Sequence, residues 1–133
     1  MQALTGAYIA KDYQTARDLY APDVIVVTPD QGELKGRDEA VAYMKGFFES
    51  FPDATYDAEH THETGNTAID EGYFIGTHTK PLVLPTGESI PPTNQRVRLR
   101  SCDFLVVEDG KAIEHRMYFD QMELIEQLGI SPG

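Results

Sequence analysis

The stretch EDGKAIEHRMYFDQMELIEQLG, Glu108 to Gly129, decides the fold. Asp109-Gly110 signals a two-residue hairpin turn, because these residue types tolerate the positive φ that such a turn demands. Lys111 to Phe119 then reads as a strand, and Met122 to Leu128 as a short closing helix with Gly129 as its C-cap. Upstream, Gln95 to Val107 alternates as the partner strand. With the turn at Asp109-Gly110, Glu108 faces Lys111, Asp103 faces Arg116, Ser101 faces Tyr118 and Leu99 faces Asp120. Side chains alternate across a strand, so this register predicts one face carrying Asp103, Arg116, Tyr118 and Asp120. The other face then carries Arg96, Arg98, Arg100, Cys102 and Phe104 with His115, Met117 and Phe119. A slip of one residue would exchange the two faces.

The first face reads as the polar lining of a cavity, with Arg116 ion-paired to Asp103. Arg116→Leu is therefore expected to strand a buried Asp103 and to cost about 3 kcal/mol or more. Asp120 ends the strand where the helix begins. It is either an acid or base on the cavity floor or the N-cap of the helix. The residues alone favour the cap.

The rest of the chain agrees with one α+β domain spanning residues 1–133. Leu4, Ala7, Tyr8 and, past a Lys11-Asp12 break, Ala16, Leu19 and Tyr20 recur at helical spacing, and Pro22 ends that run. Val24 to Val27 is β-branched throughout and reads as a buried strand closed by Thr28-Pro29. Asp30-Gln31-Gly32 is a turn. Asp38 is placed to cap a helix whose apolar face is Val41, Met44, Phe47, Phe48 and Phe51. Tyr56 to Glu63 and Thr67 to Thr79 read as strands. Lys80 to Thr93, with four of the eight prolines, reads as a loop.

Composition narrows the function classes. Lys and Arg number 11 against 22 Asp and Glu, a net charge of −11. With no basic stripe interleaved with aromatics, such a surface repels nucleic acid. The single cysteine, Cys102, rules out an internal disulfide and reads as an inert strand thiol. No apolar run is long enough to span a bilayer and no signal peptide is visible, so a cytoplasmic setting is expected. His60 and His62 share a strand face but lack a clear third ligand, so no metal is expected. Arg96, Arg98 and Arg100 read either as a solvated face or as a homodimer interface through the sheet.

Several segments, taken in order, carry a resemblance. Tyr20-Ala-Pro-Asp-Val24, Gly76-Thr-His-Thr79, Pro85-Thr-Gly87, Glu108-Asp-Gly-Lys111, Glu114-His115 and Asp120 with Gln127-Leu-Gly129 together resemble the SnoaL-like polyketide cyclases. These belong to the nuclear-transport-factor-2-like superfamily. The resemblance implies a cone: a strongly curved antiparallel β-sheet, three N-terminal helices enclosing a pocket, and a short C-terminal helix. It implies an enzyme of the isomerase or lyase class, using no metal or organic cofactor, that closes a ring by an aldol step. By position Asp120 matches the family's aspartate that acts as acid and base, and this raises its catalytic reading above the cap. His78 is placed to orient Asp120 or a ligand carbonyl, with a buried histidine bonded to nearby backbone as the alternative. Arg116, Tyr118, Asp103, Thr28, Tyr43, Phe47 and Phe74 complete the expected site for a small-molecule ligand. Arg116 stands where many members carry tryptophan, which favours a smaller or more acidic ligand than a fused polyketide. The other outcome is a non-catalytic ligand-binding or dimerisation module on the same fold.

Overall fold

The structure is a computed structural model that describes residues 2–83 and 88–130. Helix α1 (Gln2–Ile9) buries Leu4, Ala7 and Tyr8, one stripe at helical spacing. The chain turns away beyond it at Lys11, which takes a positive φ of 58°. Asp12 then caps helix α2 (Tyr13–Leu19) by accepting the Thr15 amide. Strand β1 (Tyr20–Thr28) follows at once. Pro22 therefore stops the helix from inside a strand, within a register shift between Tyr20 and Ile25 where no ladder donor is needed.

A turn leads into strand β2 (Gly32–Lys35) and then helix α3 (Arg37–Ser50). Gly36, at φ 89°, is the N-cap of α3, whereas Asp38 sits in its first turn and takes the Arg17 guanidinium at 2.8 Å. Asp38 is thus an ion-pair partner rather than the expected cap. Phe47 lies 4.9 Å, ring centre to ring centre, from Phe74, and Phe51 5.2 Å from it, which fastens α3 onto the sheet. Each such aromatic pair adds about 1 kcal/mol beyond burial.

Strands β3 (Thr55–Thr64), β4 (Thr67–Thr77), β7 (Arg96–Glu108) and β8 (Lys111–Phe119) complete a six-stranded sheet in the order β2-β1-β8-β7-β4-β3. It is antiparallel except that β1 runs parallel to β8. Gly72 is where β3 and β4 approach most tightly among the glycines: a Cβ there would lie 2.1 Å from the Asp57 carbonyl oxygen on β3. Only a residue without a side chain lets the two strands close so tightly beside the β3 bulge. The segment expected as a loop contains a small hairpin of β5 (Leu82–Val83) and β6 (Ser89–Ile90). Residues 84–87 lie outside the described residues, and with them the Pro85-Thr-Gly87 piece of the resemblance.

Asp109 and Gly110 have φ of 52° and 76°, as a two-residue turn demands. Glu108 faces Lys111 and Val107 faces Ala112 as expected. Ile113 then has no partner, and from Val106↔Glu114 onward every pair is displaced by one residue. Asp103 faces Met117, not Arg116, and Ser101 faces Phe119, not Tyr118. One bulged residue exchanges the two faces of β8.

Helix α4 (Gln121–Leu128) ends on Gly129 at φ 75°. β8 stops opposite Ser101, which leaves the edge of β7 open beyond it. The Gln127 side-chain amide fills the gap like a peptide group. It accepts the Arg98 N–H at 2.6 Å and donates to the Arg98 carbonyl at 3.0 Å. The helix is thereby tied to the sheet by hydrogen bonds that a continuation of β8 would have made.

Candidate active site

The displaced register turns His115, Met117 and Phe119 of β8 toward the helices, beside Leu99, Ser101 and Asp103 of β7 and Asp70 and Phe74 of β4. Together with Tyr8 of α1, Tyr43, Met44 and Phe47 of α3 and Tyr56 of β3 they line a cavity of about 80 Å³. Its walls are apolar or aromatic apart from Thr5 and the polar end where Asp70, Asp103, His115 and Ser101 gather.

A chain of hydrogen bonds runs into that end from the core. The Tyr8 hydroxyl donates to the Tyr20 oxygen at 3.0 Å, and Tyr20 in turn donates to His115 Nδ1 at 3.0 Å. This direction leaves the proton of His115 on Nε2, 3.2 Å from Asp103 Oδ2. The imidazole is 2% exposed and the Asp103 side chain 22%, so the chain ends on the group with access to the cavity. Burial raises the pKa of both tyrosine hydroxyls, which holds them protonated and able to donate.

Two further groups meet Asp103. Asp70 lies directly opposite it on β4 and is 6% exposed. Burial first, and then the charge of Asp103, raise its carboxyl pKa. Ser101 donates to the Tyr56 oxygen at 3.4 Å, which leaves the Tyr56 proton for another acceptor. The Tyr56 hydroxyl, pushed up to about 12 by burial, stays a donor.

The structure brings together Asp103, Tyr43, Phe47 and Phe74 of the expected site. Arg116 and Tyr118 are on the outer face instead. Arg116 pairs with Glu114 and lies over the Phe104 ring at 5.2 Å, and Tyr118 is 51% exposed. The expected Asp103–Arg116 pair does not form, because the Ile113 bulge turns Arg116 away. Asp120 is exposed, with Oδ1 accepting from the amides of Met122 at 2.9 Å and Glu123 at 3.3 Å. It is the N-cap of α4 and does not line the cavity.

His78 is fully buried at another place, its Nδ1 accepting from the Thr93 amide at 3.2 Å and its ring 5.5 Å from that of Phe51. Thr28 is buried too, bonded to the Gln31 amide and to Asp30, and it reaches the cavity only through Tyr43, which also binds Asp30.

His115, Tyr20 and Asp70 escaped sequence reasoning. For Asp70 the signal was present, since it shares the inward parity of Phe74 on one strand. Among the described residues no three His, Cys, Asp or Glu side chains converge as a metal cage. No described helix is long and apolar enough to cross a membrane.

A curved sheet folded around helices, with ionisable groups at one end of an apolar cavity, defines an α+β cone with an internal cavity. The chain belongs to the SnoaL-like polyketide cyclase family, whose model matches residues 1–128. Among solved structures, IdmH, a proposed polyketide cyclase from Streptomyces antibioticus, superposes with a TM-score of 0.79 at 25% identity, over 97% of this chain and 95% of its own. A proposed SnoaL-like polyketide cyclase from Jannaschia sp. CCS1 gives 0.84 at 21% identity, over 98% and 90%. AclR, a proposed hydroxylase from Streptomyces galilaeus, gives 0.80 at 23%, over 98% and 93%. No curated protein matches the sequence.

Proposed function

We propose that the protein is a cofactor-independent enzyme that acts on a small carbonyl compound by acid/base catalysis, with Asp103 as the group that takes and returns the proton. The observation that carries this reading is the hydrogen-bonded chain Tyr8–Tyr20–His115–Asp103, which ends on a carboxylate facing an apolar cavity. His115 and the two tyrosines are positioning residues in this reading. Asp103 removes a proton from the carbon beside the carbonyl, and the C–H electron pair passes to the carbonyl oxygen. The Tyr56 hydroxyl is the donor available to that oxygen. The enolate carbon then either bonds to a second carbonyl carbon, whose oxygen recovers the proton from Asp103, or is reprotonated elsewhere. The first route is an aldol cyclisation and the second an isomerisation.

A space of about 80 Å³ suits a substrate of few atoms better than a fused polyketide. The family resemblance favours Asp120 as the acid/base, whereas the hydrogen-bonded chain favours Asp103. Proton–deuterium exchange at the α-carbon of a panel of small ketones and 1,3-dicarbonyls, followed by NMR in D₂O, separates them. Asp103→Asn is expected to abolish exchange and Asp120→Asn to leave most of it, and the reverse pattern would return the role to Asp120. Absence of exchange across the panel would favour a non-catalytic binding module.

We also propose a homodimer through the outer sheet face and a cytoplasmic setting. Arg98 stacks on the Tyr73 ring at 3.5 Å and Arg100 bonds its hydroxyl, so the basic face is ordered and available to an acidic partner surface. Sedimentation of the wild type against Arg98→Glu tests the dimer. The lone Cys102 thiol, raised in pKa by burial, suits a reducing compartment.

A further inference from the structure

A cavity of about 80 Å³ is well below the roughly 300 Å³ at which ligand pockets usually begin. A wall that gives way would admit a ligand and enlarge the space, and the walls differ in how they are held. β3, β4, β7 and β8 are bound edge to edge by their ladders. Helix α3 is fastened by Phe47, Phe48 and Phe51 against Phe74. Helix α1, which contributes Leu4, Thr5 and Tyr8, is held otherwise. Among the described residues no backbone hydrogen bond joins it to the sheet or to α3. Its ties are the burial of Leu4, Ala7 and Tyr8, the Tyr8 ring stacked on Phe48 at 5.4 Å, and the Tyr8–Tyr20 hydrogen bond.

The helix itself is weak. Its 8 residues are too few to stay helical without their packing. Gly6 lies in the middle, where a Cβ would meet nothing within 4 Å, so the glycine serves no close approach and loosens the helix. Beyond the end of α1, Lys11 stands at φ 58°, a conformation that costs a residue with a side chain, and Asp12 caps α2 independently. α1 can thus peel away at Lys11 while α2 stays folded. The place of opening is marked as well. Gln2 and Ala3 border an outer hollow of about 340 Å³ with Thr61 and Glu63 of β3. The next two residues, Leu4 and Thr5, line the inner cavity, and Asp70 borders both spaces. The first turn of α1 therefore stands between the hollow and the cavity.

We infer that α1 is the lid of the cavity: it opens by local unfolding from a hinge at Lys11–Asp12 and admits a small molecule from the hollow beside Asp70. On closing it sets Tyr8 back on Tyr20. Opening thereby breaks the first bond of the chain that ends on Asp103, so the chain is complete only over a closed cavity. The lid stands on the cavity and the helix, while its consequence for Asp103 rests on the proposed chemistry.

Met117→Cys in a Cys102→Ser background places a single thiol inside the cavity. Methyl methanethiosulfonate is the probe, and its labelling rate reads the opening. Gly6→Ala is expected to slow labelling roughly two- to fivefold by steadying α1. Tyr8→Phe is expected to speed it several-fold, because it removes the bond to Tyr20 and keeps the ring. Gln127→Ala, which loosens α4 instead, is expected to leave the rate unchanged. Labelling indifferent to Gly6→Ala, or quickened as much by Gln127→Ala as by Tyr8→Phe, would overturn the inference. Hydrogen exchange tests the same lid without the introduced thiol, should Met117→Cys fold poorly. The Tyr8 amide is expected to exchange roughly tenfold or more faster than the Phe74 amide inside the sheet, and to slow in Gly6→Ala. Equal protection of the two amides would also overturn it. Labelling that follows α1 without α-proton exchange of any ketone leaves the lid and removes the proposed chemistry; α-proton exchange with labelling indifferent to Gly6→Ala does the opposite.

Discussion

His115 and Arg116 are neighbours in the chain, yet their side chains are 2% and 32% exposed. The first sits between Tyr20 and Asp103 at the polar end of the cavity. The second lies along the outside of the sheet against Glu114 and Phe104. The same contrast holds along both strands of the hairpin. The inner face of β7 offers Leu99, Ser101 and Asp103, and the outer face Arg96, Arg98 and Arg100. Chemistry that needs a low-dielectric setting is therefore open to one face alone. The same ion pair that would be costly to break inside is worth little outside.

The largest expected difference between the faces is catalytic. Asp103→Asn is expected to slow α-proton exchange by roughly a hundredfold or more, whereas Arg116→Leu, measured in the same assay, should leave it within a few fold. Next comes stability. His115→Leu removes a partner from both Tyr20 and Asp103 and should cost about 3 kcal/mol or more in urea unfolding. A loss below about 1 kcal/mol would mean that the buried chain of hydrogen bonds is slack. Gln127→Ala unties α4 from the open edge of β7 and is expected to cost about 1–2 kcal/mol, with faster hydrogen exchange at the Arg98 amide. Unaltered exchange there would show that the helix is held by packing.

The smallest effects close the comparison. Arg116→Leu is expected to change stability by no more than about 0.5 kcal/mol, because it breaks a surface pair. That replaces the loss expected when Arg116 faced Asp103, and a large loss would put it back inside. Asp70→Asn tests the inner face by pH. Burial raises the folded pKa of Asp70 above its unfolded value of 3.8. Its contribution favours the folded state below that value and is lost as pH rises through the folded pKa. The asparagine variant should therefore melt higher than wild type at pH 7, and the gain should vanish toward pH 3.

Much of the fold could be read from local signals. Lys111–Phe119 is a strand with the expected ends, Asp109-Gly110 is the turn, and Gly129 is the left-handed cap. The aromatic positions of α3 pack inward as their spacing implies. The site was less legible. Arg116 and Tyr118 were placed inside by strict alternation from the turn, and Ile113 breaks that alternation without any glycine or proline to mark it. His78 and Thr28 are buried, but burial at a sequence position does not say which cavity a side chain meets. Asp120 sits at the strand-to-helix junction as read, and there it caps the helix.

The amino-acid sequence by itself determined the long elements, the hairpin turn, the α+β class and the family, because periodicity, turn chemistry and caps act over a few residues, whereas the short strands β2, β5 and β6 carried no such signal. Only the tertiary structure decided which side of β8 faces the cavity. β8 must pair at once with β7 across the hairpin and with β1 in parallel, and the irregularities in both ladders accommodate that double demand. A bulge is the response of a curved sheet to packing on both edges, and no residue type at position 113 announces it. That single displacement carries His115 inward, turns Arg116 outward, and gives Asp103 the partner on which the proposed chemistry rests.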